Sequence, residues 1–473
     1  MELIRHLLPI ILQFLSKILS LRFQTLSLYQ MEEEVSRAVQ WFTCKVLEQL
    51  LESYDDHLMR QRDSRQWRLI HTKRRTILTS FGEICFRRRY YRDNKTGRRV
   101  FLLDEALGFA PRQRVSSRLR EQMVALATAV SYHRAAHLLQ TWVPGVSAMS
   151  VWQAVQEAGE QERRQAEAQQ RLMFEQGEIP TGTRQVKELA VEADSVWVPA
   201  RRKHGEKPRH VEVKLGVAYE GRTEKGRLKE RKVNAGVMSP EDFWEQTAAM
   251  CSRTWDLCAV ERCWFGSDGA AWLKQGMEVF PNAVYRLDRY HLRRALVEGL
   301  GGDSRGYAQV SQAIAEGNWD NVQKGLREAW KRAGKAQQKR IRRLERYLKN
   351  NWEGIVQLPE AWRLGAIEGQ VFHHLARRMK RHGARWSDRG ADHLARVLAA
   401  KGSGELERLS GEKSERVSEE RVRRVMRNWG RKLARAAGDW LEGGMPALQG
   451  SAAGRPWVKY VLRELSRLDQ RLW

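Results

Sequence analysis

HVEVKLGVAYEG, residues 210–221, is the stretch that decides the fold. Val211, Val213, Leu215, Val217 and Tyr219 recur at every second position, so they share one face of a strand that needs a covered sheet. Upstream, ELAVEADSVWV (188–198) has the composition of a second strand, and downstream KERKVNAGVM (229–238) supplies a third. Together they predict an antiparallel meander. Beyond it PEDFWEQTAAMC (240–251) reads as a helix, CWFGSD (263–268) as a strand, AAWLKQGMEVF (270–280) as a helix and AVYRL (283–287) as a strand, with a further helix from His291. Three antiparallel strands followed by alternating strand and helix predict an α/β domain of the ribonuclease-H-like type over residues 187–382. Residues from about 298 to 360 are helical and very basic without a strand signal, and they read as an all-α insertion in that domain.

Three acidic residues interrupt apolar runs of this domain. Asp194 lies midway along the expected central strand, Asp268 at the carboxyl end of another, and Glu368 in WRLGAIEGQVFHHLARRMK (362–380). A helix over 362–382 would carry its apolar stripe on Leu364, Val371, Phe372, Leu375 and Met379, which puts Glu368 on the core-facing side. Arg377, Arg378, Lys380 and Arg381 fill the other faces, where a surface Glu would belong; a buried Glu–Arg pair is the structural alternative. A bare carboxylate is costly to bury unless a cation offsets it. Ligands of open α/β sheets gather at strand carboxyl ends, which suits Asp268, and Gly266 and Gly269 beside it allow close backbone approach. Singly each Asp reads as structural; together with Glu368 they read as a site for two divalent ions, Mg²⁺ or Mn²⁺. Glu192 is a candidate neighbour on the face of Asp194, Asp288 in LDRYHL a candidate helper, and Asp388 in RWSDRG a helix cap. No Ser-His-Asp or Cys-His set competes.

The chain of 473 residues carries 84 Lys and Arg against 57 Asp and Glu, a net charge of +27. Such a balance favours a polyanionic partner, and with the acids above it points to a phosphodiester substrate. Cys44, Cys85, Cys251, Cys258 and Cys263 form no CxxC pair, so a disulfide framework and structural zinc are excluded and a reduced, cytoplasmic protein is expected. Residues 1–30 are apolar, but Glu2, Arg5, Lys17 and Arg22 interrupt the run before it could span a bilayer, and no signal-peptide cleavage pattern follows. Met31 offers an alternative start, so 1–30 reads as an extension.

Residues 31–65 predict one helix and 66–112 a small basic β-module, with turns at Phe81-Gly82 and at 94–97. RRRYYR (87–92) interleaves arginine with tyrosine, which suits stacking and phosphate contact; Arg87, Arg88, Arg89 and Tyr90 are candidate DNA contacts, although such a hairpin is also what a solvated face looks like. Over 113–180 three helices (116–130, 132–143 and 147–159) and a charged helical linker are expected. A VPGV turn before the third fits a helix-turn-helix, and equally any small helical domain. Residues 383–473 read as a basic helical C-terminal region.

The series VEADSVWV (191–198), GSDGAAWLK (266–274), RLDRYHLRR (286–294) and GAIEGQVFHHLARRMKRHGARWSDRGADHL (365–394), with TKRRTILTSFGEICFRRRYYRDNKTGRRVFLLDEALG (72–108), resembles the ISLre-type insertion-sequence transposases of bacteria. These have long been filed as an uncharacterised protein family and are distant relatives of the Mutator-like DDE transposases. The resemblance covers roughly 31–400 and leaves the first thirty residues and the tail past about 410 outside a close match. It implies a ribonuclease-H-like catalytic domain with an all-helical insertion, Mg²⁺-dependent cleavage at transposon ends and joining of the 3′-OH to target DNA. By position it makes Asp194, Asp268 and Glu368 the catalytic and metal-binding triad, at separations of 74 and 100 positions. Asp288 and His291 match an auxiliary position of the family. Terminal inverted repeats, target DNA and a second copy of the chain are the expected partners. A non-catalytic DNA-binding regulator derived from a transposase, and a metal-dependent nuclease that cuts without joining, remain as alternatives.

Overall fold

A helical hairpin laid against the open edge of a small sheet begins the fold. The computed structural model describes residues 2–21, 25–202, 205, 207–356, 364–381 and 383–406. Helix α1 (Glu2–Leu21) packs on α2 (Leu28–Gln61), with Phe14 against Phe42. The second helix starts upstream of Met31 because Ser27 and Gln30 cap it reciprocally, each side chain accepting the other's backbone N–H. It ends at Gln61, short of the expected residue 65, where Arg62 turns extended. Strands β1 (Trp67–Thr79), β2 (Gly82–Asp93) and β3 (Arg99–Phe101) form an antiparallel meander, followed by the short α3 (Leu102–Ala106). Because β3 pairs only with Tyr90–Arg92, the rest of β2 is an open edge. Its N–H groups at Cys85, Arg87 and Arg89 donate to Glu48, Glu52 and Asp55 of α2, at 2.9, 2.8 and 3.3 Å. The helical spacing i, i+4, i+7 advances by roughly 5–6 Å per step, close to the repeat of two strand residues, so one acidic stripe seals an edge that would otherwise invite pairing.

Helices α4 (Ser117–Ala127), α5 (Tyr132–Gln140) and α6 (Ala148–Phe174) follow, capped by Ser116, Ser131 and Ser147. Residues 160–174 of the expected linker over 160–178 are the continuation of α6, and that helix is part of the main core. Val151, Ala154, Val155 and Ala158 are buried with the apolar face of the central sheet. The third helix of the possible helix-turn-helix is thus a core helix along this face.

The central sheet contains β4 (Glu188–Pro199), β5 (His210–Tyr219), a minor β6–β7 ribbon (Gly221–Arg222 and Leu228–Lys229) that pairs separately, β8 (Lys232–Gly236), β9 (Arg262–Ser267) and β10 (Ala283–Leu287). The order across the main sheet is β10-β9-β4-β5-β8. β4, β5 and β8 are antiparallel in turn, and β9 and β10 run parallel to β4. Val211, Val213, Leu215, Val217 and Tyr219 are all buried on one face. Gly216 and Ala218 on the other face are also buried, since helix α7 (Pro240–Ser252), started by Ser239 and Pro240, covers it with Phe243 and Trp244. After β9 comes the short α8 (Ala271–Lys274).

Between β10 and Glu368 the chain makes α9 (Arg289–Leu300), α10 (Ser304–Ala315), α11 (Trp319–Arg332), α12 (Lys335–Asn350) and α13 (Trp352–Val356). These close a core of their own around Leu300, Val310, Leu326 and Leu348, continuous with Tyr285 and Leu287 of β10. Then follow α14 (Ile367–Gln370), a π-helical stretch (Val371–Ala376), α15 (Arg377–Met379) and α16 (Asp388–Gly402). Ser387 caps α16, and Asp388 is its first residue. This helix is buried almost throughout and packs on β8 and α6, so the core extends past residue 382 and 383–402 is not part of a separate C-terminal region. Residues 407–473 of that expected region lie outside the described residues. No helix among those described is long and apolar enough to cross a membrane.

Gly159 marks the closest approach of α6 and α16: a Cβ there would lie 2.4–2.5 Å from His393 atoms, two of them backbone. Gly159→Ala gains about 1 kcal/mol in helix propensity. Forcing two packed helices apart costs about 3 kcal/mol or more, so a net loss of about 2 kcal/mol is expected. A urea titration that finds the variant as stable as the wild type would contradict this packing.

Candidate active site

Asp194 and Glu192 point to the same face of β4, where the strand is paired on both sides as far as Glu192 and runs on beyond β9 at Asp194. The Asp194 carboxylate is half-buried and accepts the Ser195 N–H at 2.7 Å. Burial raises its pKa most, the Ser195 N–H opposes that, Asp268 and Glu368 raise it and His291 lowers it, with the result at about 6. Because the folded value lies above the unfolded one, the neutral acid favours folding below about pH 3.8, and this contribution is lost as pH rises through about 6. Without divalent cations, Asp194→Asn is therefore expected to be more stable than the wild type above pH 7, by up to about 3 kcal/mol. The advantage should shrink towards zero at pH 4; a stability difference flat across that range would remove Asp194 from the coupled set.

Asp268 follows the last residue of β9. Its carboxylate accepts the Ala270 N–H at 2.8 Å and its carbonyl accepts the Tyr347 hydroxyl at 2.7 Å. Gly269 has φ +92°, and a Cβ there would meet Asn351 at 2.7 Å, so glycine is needed both for the turn and for the close approach. Asn351 accepts from the Tyr285 hydroxyl and donates to the Tyr347 carbonyl. The Asp268 turn is thus tied to the end of α12.

Glu368 differs from its expected setting. The helix begins at Ile367, and Gly365, at φ +98°, breaks it from what precedes. Glu368 therefore occupies the first turn, with its side chain 45% exposed; Phe372 is exposed as well, while Val371, Leu375 and Met379 are buried. Residues 362, 363 and 382 of that expected helix lie outside the described residues. His291 Nε2 stands 3.6 Å from Glu368 Oε1. Asp288 caps α9 by accepting the Tyr290 and His291 N–H groups, which fixes the first turn carrying His291.

The residue that joins these pieces is Glu192. It is 1% exposed and accepts the Tyr219 hydroxyl at 2.5 Å, the Gly365 N–H at 2.7 Å and the Ala366 N–H at 3.1 Å. Burial pushes its pKa up, while these three donors pull it down. Gly266 of β9 makes room for it: a Cβ there would lie 2.8 Å from Glu192 Cγ. A strand residue two positions before Asp194 thereby holds the backbone two and three residues before Glu368. The sequence marked Glu192 as a neighbour but carried no sign of this link, because its partners lie 173 and 174 residues away.

Among the described residues no three His, Cys, Asp or Glu side chains stand close enough to clasp an ion as they are. Uncompensated carboxylates repel one another, and Asp194 registers that repulsion from Asp268 and Glu368. Their hard oxygen donors suit Mg²⁺ or Mn²⁺. An open cleft of about 660 Å³ adjoins the acids, lined by Asp268 and His291 and by Arg294, Arg340, Arg343 and Tyr347 of the helical insertion. The two α12 arginines were missed in the sequence; their signal is KRIRRLERY, in which 340, 343 and 347 fall on one helical face.

The hairpin expected to contact DNA uses much of its charge internally. Arg89 pairs with Asp55 at 2.6 Å and Asp56 at 2.7 Å. Arg88 lies against Asp104 and over the Phe101 ring, and burial pulls its pKa down to about 10. Tyr90 lies between Phe101 and His71. Only Arg87 of the three arginines keeps a well-exposed side chain, 3.6 Å from Glu52. Arg88 and Arg89 are therefore structural ties to α3 and α2, a role fixed by acids distant in sequence.

The chain is similar to the UPF0236 protein TTE2489 of Caldanaerobacter subterraneus subsp. tengcongensis, with 27% identity over 383 residues, covering 79% of each chain. A second protein of that organism, whose name carries eleven UPF0236 locus designations from TTE0033 to TTE2212, is 26% identical over 383 residues, 79% of this chain and 78% of its own. The UPF0236 protein in the vanSb 3′ region of Streptococcus gallolyticus is 26% identical over 397 residues, 80% and 84% of the two chains. The family model described as "Uncharacterised protein family (UPF0236)" matches residues 21–436. A match over most of the chain, including every acid of the candidate site, makes this protein a member of the UPF0236 family.

Proposed function

We propose that this protein is a DDE-type DNA transposase with a ribonuclease-H-like catalytic domain, in which Asp194, Asp268 and Glu368 hold two Mg²⁺ or Mn²⁺ ions. The observation that carries the reading is the convergence of three carboxylates from remote segments: Asp268 lines one cleft with His291, His291 Nε2 stands 3.6 Å from Glu368 Oε1, and Glu192, two residues before Asp194 on β4, holds the backbone just before Glu368. The sheet order, with three antiparallel strands and two further strands parallel to the first, supports the ribonuclease-H-like assignment. The net charge of +27 suits a DNA substrate. Eleven locus designations within one relative's name suit a sequence that multiplies within a genome.

The chain's own residues would do the following. Asp194, Asp268 and Glu368 supply ligands; Glu192 and Asp288 hold the backbone of the segments that carry Glu368 and His291; His291 shares its position between Glu368 and the cleft. Bound Mg²⁺ would activate the attacking oxygen and stabilise the leaving one at phosphorus. Two transposon ends must be brought together, so a dimer or higher multimer on DNA belongs to the reading.

The test is Mg²⁺-dependent cleavage of the DNA flanking this gene by the purified full-length chain. Cleavage at a defined inverted-repeat boundary, with products joined to a target plasmid, is the expected result. Cleavage without joined products would replace the reading by a nuclease, and salt-sensitive binding with no cleavage would replace it by a non-catalytic DNA-binding protein.

A further inference from the structure

We infer that the insertion helix α12 forms a phosphate-gripping wall for a DNA strand, with Arg340 and Arg343 holding the backbone beside Asp268; the inference rests on the DNA-processing reading above and assigns it a substrate track. The α12 sequence carries seven Lys and Arg against the single acid Glu345. Ile341, Leu344 and Leu348 are buried in the insertion core, while Arg340 and Arg343 are exposed and line the same cleft as Asp268 and His291.

Three other basic groups of the insertion are already engaged. Arg294 is bound to Glu298 at 2.8 Å, Arg332 to Asp303 at 2.6 Å, and Arg342 lies over the Trp330 ring. Arg340 and Arg343 have no acidic partner among the described residues, so their charge faces the cleft. They lie three residues apart, hence on neighbouring turns, at a separation comparable to that of adjacent phosphates along a strand.

The wall is also fixed relative to the acids, which an ordinary solvated helix face would not require. Leu344 fills the space beside Gly299 of α9, and Gln337 donates to the Gly299 carbonyl. Tyr347, on the next turn after Arg343, donates to the Asp268 carbonyl at 2.7 Å, and Lys274 donates to the Asn350 carbonyl at 2.5 Å. With Glu298 tied to Arg294, Asp268 together with Arg340 and Arg343 gives a cleft of two signs. A phosphodiester suits both: its backbone charge meets the arginines while the scissile group faces the carboxylates and the ions they would hold. A small uncharged ligand would use neither.

The test compares the full-length wild type with Arg340→Ala/Arg343→Ala and with Lys339→Ala/Arg346→Ala, a control that removes the same charge from α12 outside the cleft. Affinity for a fluorescein-labelled duplex of gene-flanking DNA is measured between about 50 and 200 mM salt, with cleavage followed in parallel. The cleft pair is expected to reduce the slope of log K against log salt by nearly 2, at about 0.9 per phosphate contact. The control is expected to reduce it clearly less, and cleavage should fall about tenfold or more only in the cleft pair. Equal loss in both pairs, or no DNA binding by the wild type, overturns the track. Wild-type cleavage that the cleft pair retains, with an unchanged salt slope, overturns it while leaving the transposase reading intact. A cleft-dependent salt slope without any cleavage keeps the track and rejects the transposase.

Discussion

Asp268→Asn is expected to lower DNA strand cleavage by a factor on the order of 10³ or more, equivalent to about 4 kcal/mol of transition-state stabilisation, while DNA binding and folding remain close to wild type. The reasons for the small structural effect are local. The Asn oxygen can still accept the Ala270 N–H that Asp268 accepts at 2.8 Å, and the Asp268 carbonyl that receives the Tyr347 hydroxyl is backbone. The change should therefore stay within about 0.5 kcal/mol in stability. What is lost is one negative charge and one of the hard oxygen donors proposed to hold the ions. A second consequence is internal to the site. Asp268 is among the groups that raise the Asp194 pKa, so its neutralisation should move the Asp194 titration below about pH 6. Carboxylate NMR shifts or the pH dependence of unfolding can register that movement without any catalysis. Cleavage by Asp268→Asn within tenfold of wild type, in protein shown to be folded, would remove Asp268 from the catalytic set.

The parts of this arrangement written in local sequence were readable. Period-two alternation from Val211 to Tyr219 specifies a strand with one buried face, and that face is buried. Asp268 falls at a strand end because the apolar run stops there and glycine follows. The features that were not readable depend on partners remote in the chain. Glu368 is exposed in a first turn because Gly365 and Ala366 are held by Glu192, whereas the apolar spacing of 362–382 alone describes one continuous helix with Glu368 inside. α16 looks like a polar tail helix, yet Asp392 and Arg396 pair with each other in the core, so charge along the sequence concealed burial. Arg88 and Arg89 look like free cations until Asp104, Asp55 and Asp56 are brought against them. Local pattern thus specified elements, and long-range polar contacts decided which charges face solvent.

Glu192 makes the most direct test of how that long-range link serves the site. Glu192→Ala would leave the Tyr219 hydroxyl and the Gly365 and Ala366 N–H groups without their acceptor in a fully buried pocket. At about 1–3 kcal/mol for each buried donor, less what relaxation recovers, a loss of about 3–5 kcal/mol is expected. That result alone would fit any well-packed buried residue. Glu192→Gln separates the roles. It conserves shape and one acceptor oxygen, but its NH₂ group faces one of the former donors, so the loss should be only about 1–2 kcal/mol. With the Gln oxygen at the Oε2 position the Gly365 and Ala366 N–H groups keep an acceptor, but the Ala366 N–H, which lies 3.1 Å from both carboxylate oxygens, then faces an NH₂ group and the anion is gone, so the turn carrying Glu368 is held less firmly. If Glu192 positions a carboxylate proposed to hold the ions, Glu192→Gln should then raise the Mg²⁺ concentration needed for half-maximal cleavage by about 10–100-fold. Saturating Mg²⁺ should restore much of the rate, because the three carboxylates themselves are intact. A Gln variant that is destabilised yet keeps the wild-type Mg²⁺ response would make Glu192 a structural hydrogen-bond acceptor only; a shifted response in a stably folded chain would tie the position of Glu368 to the strand that carries Asp194.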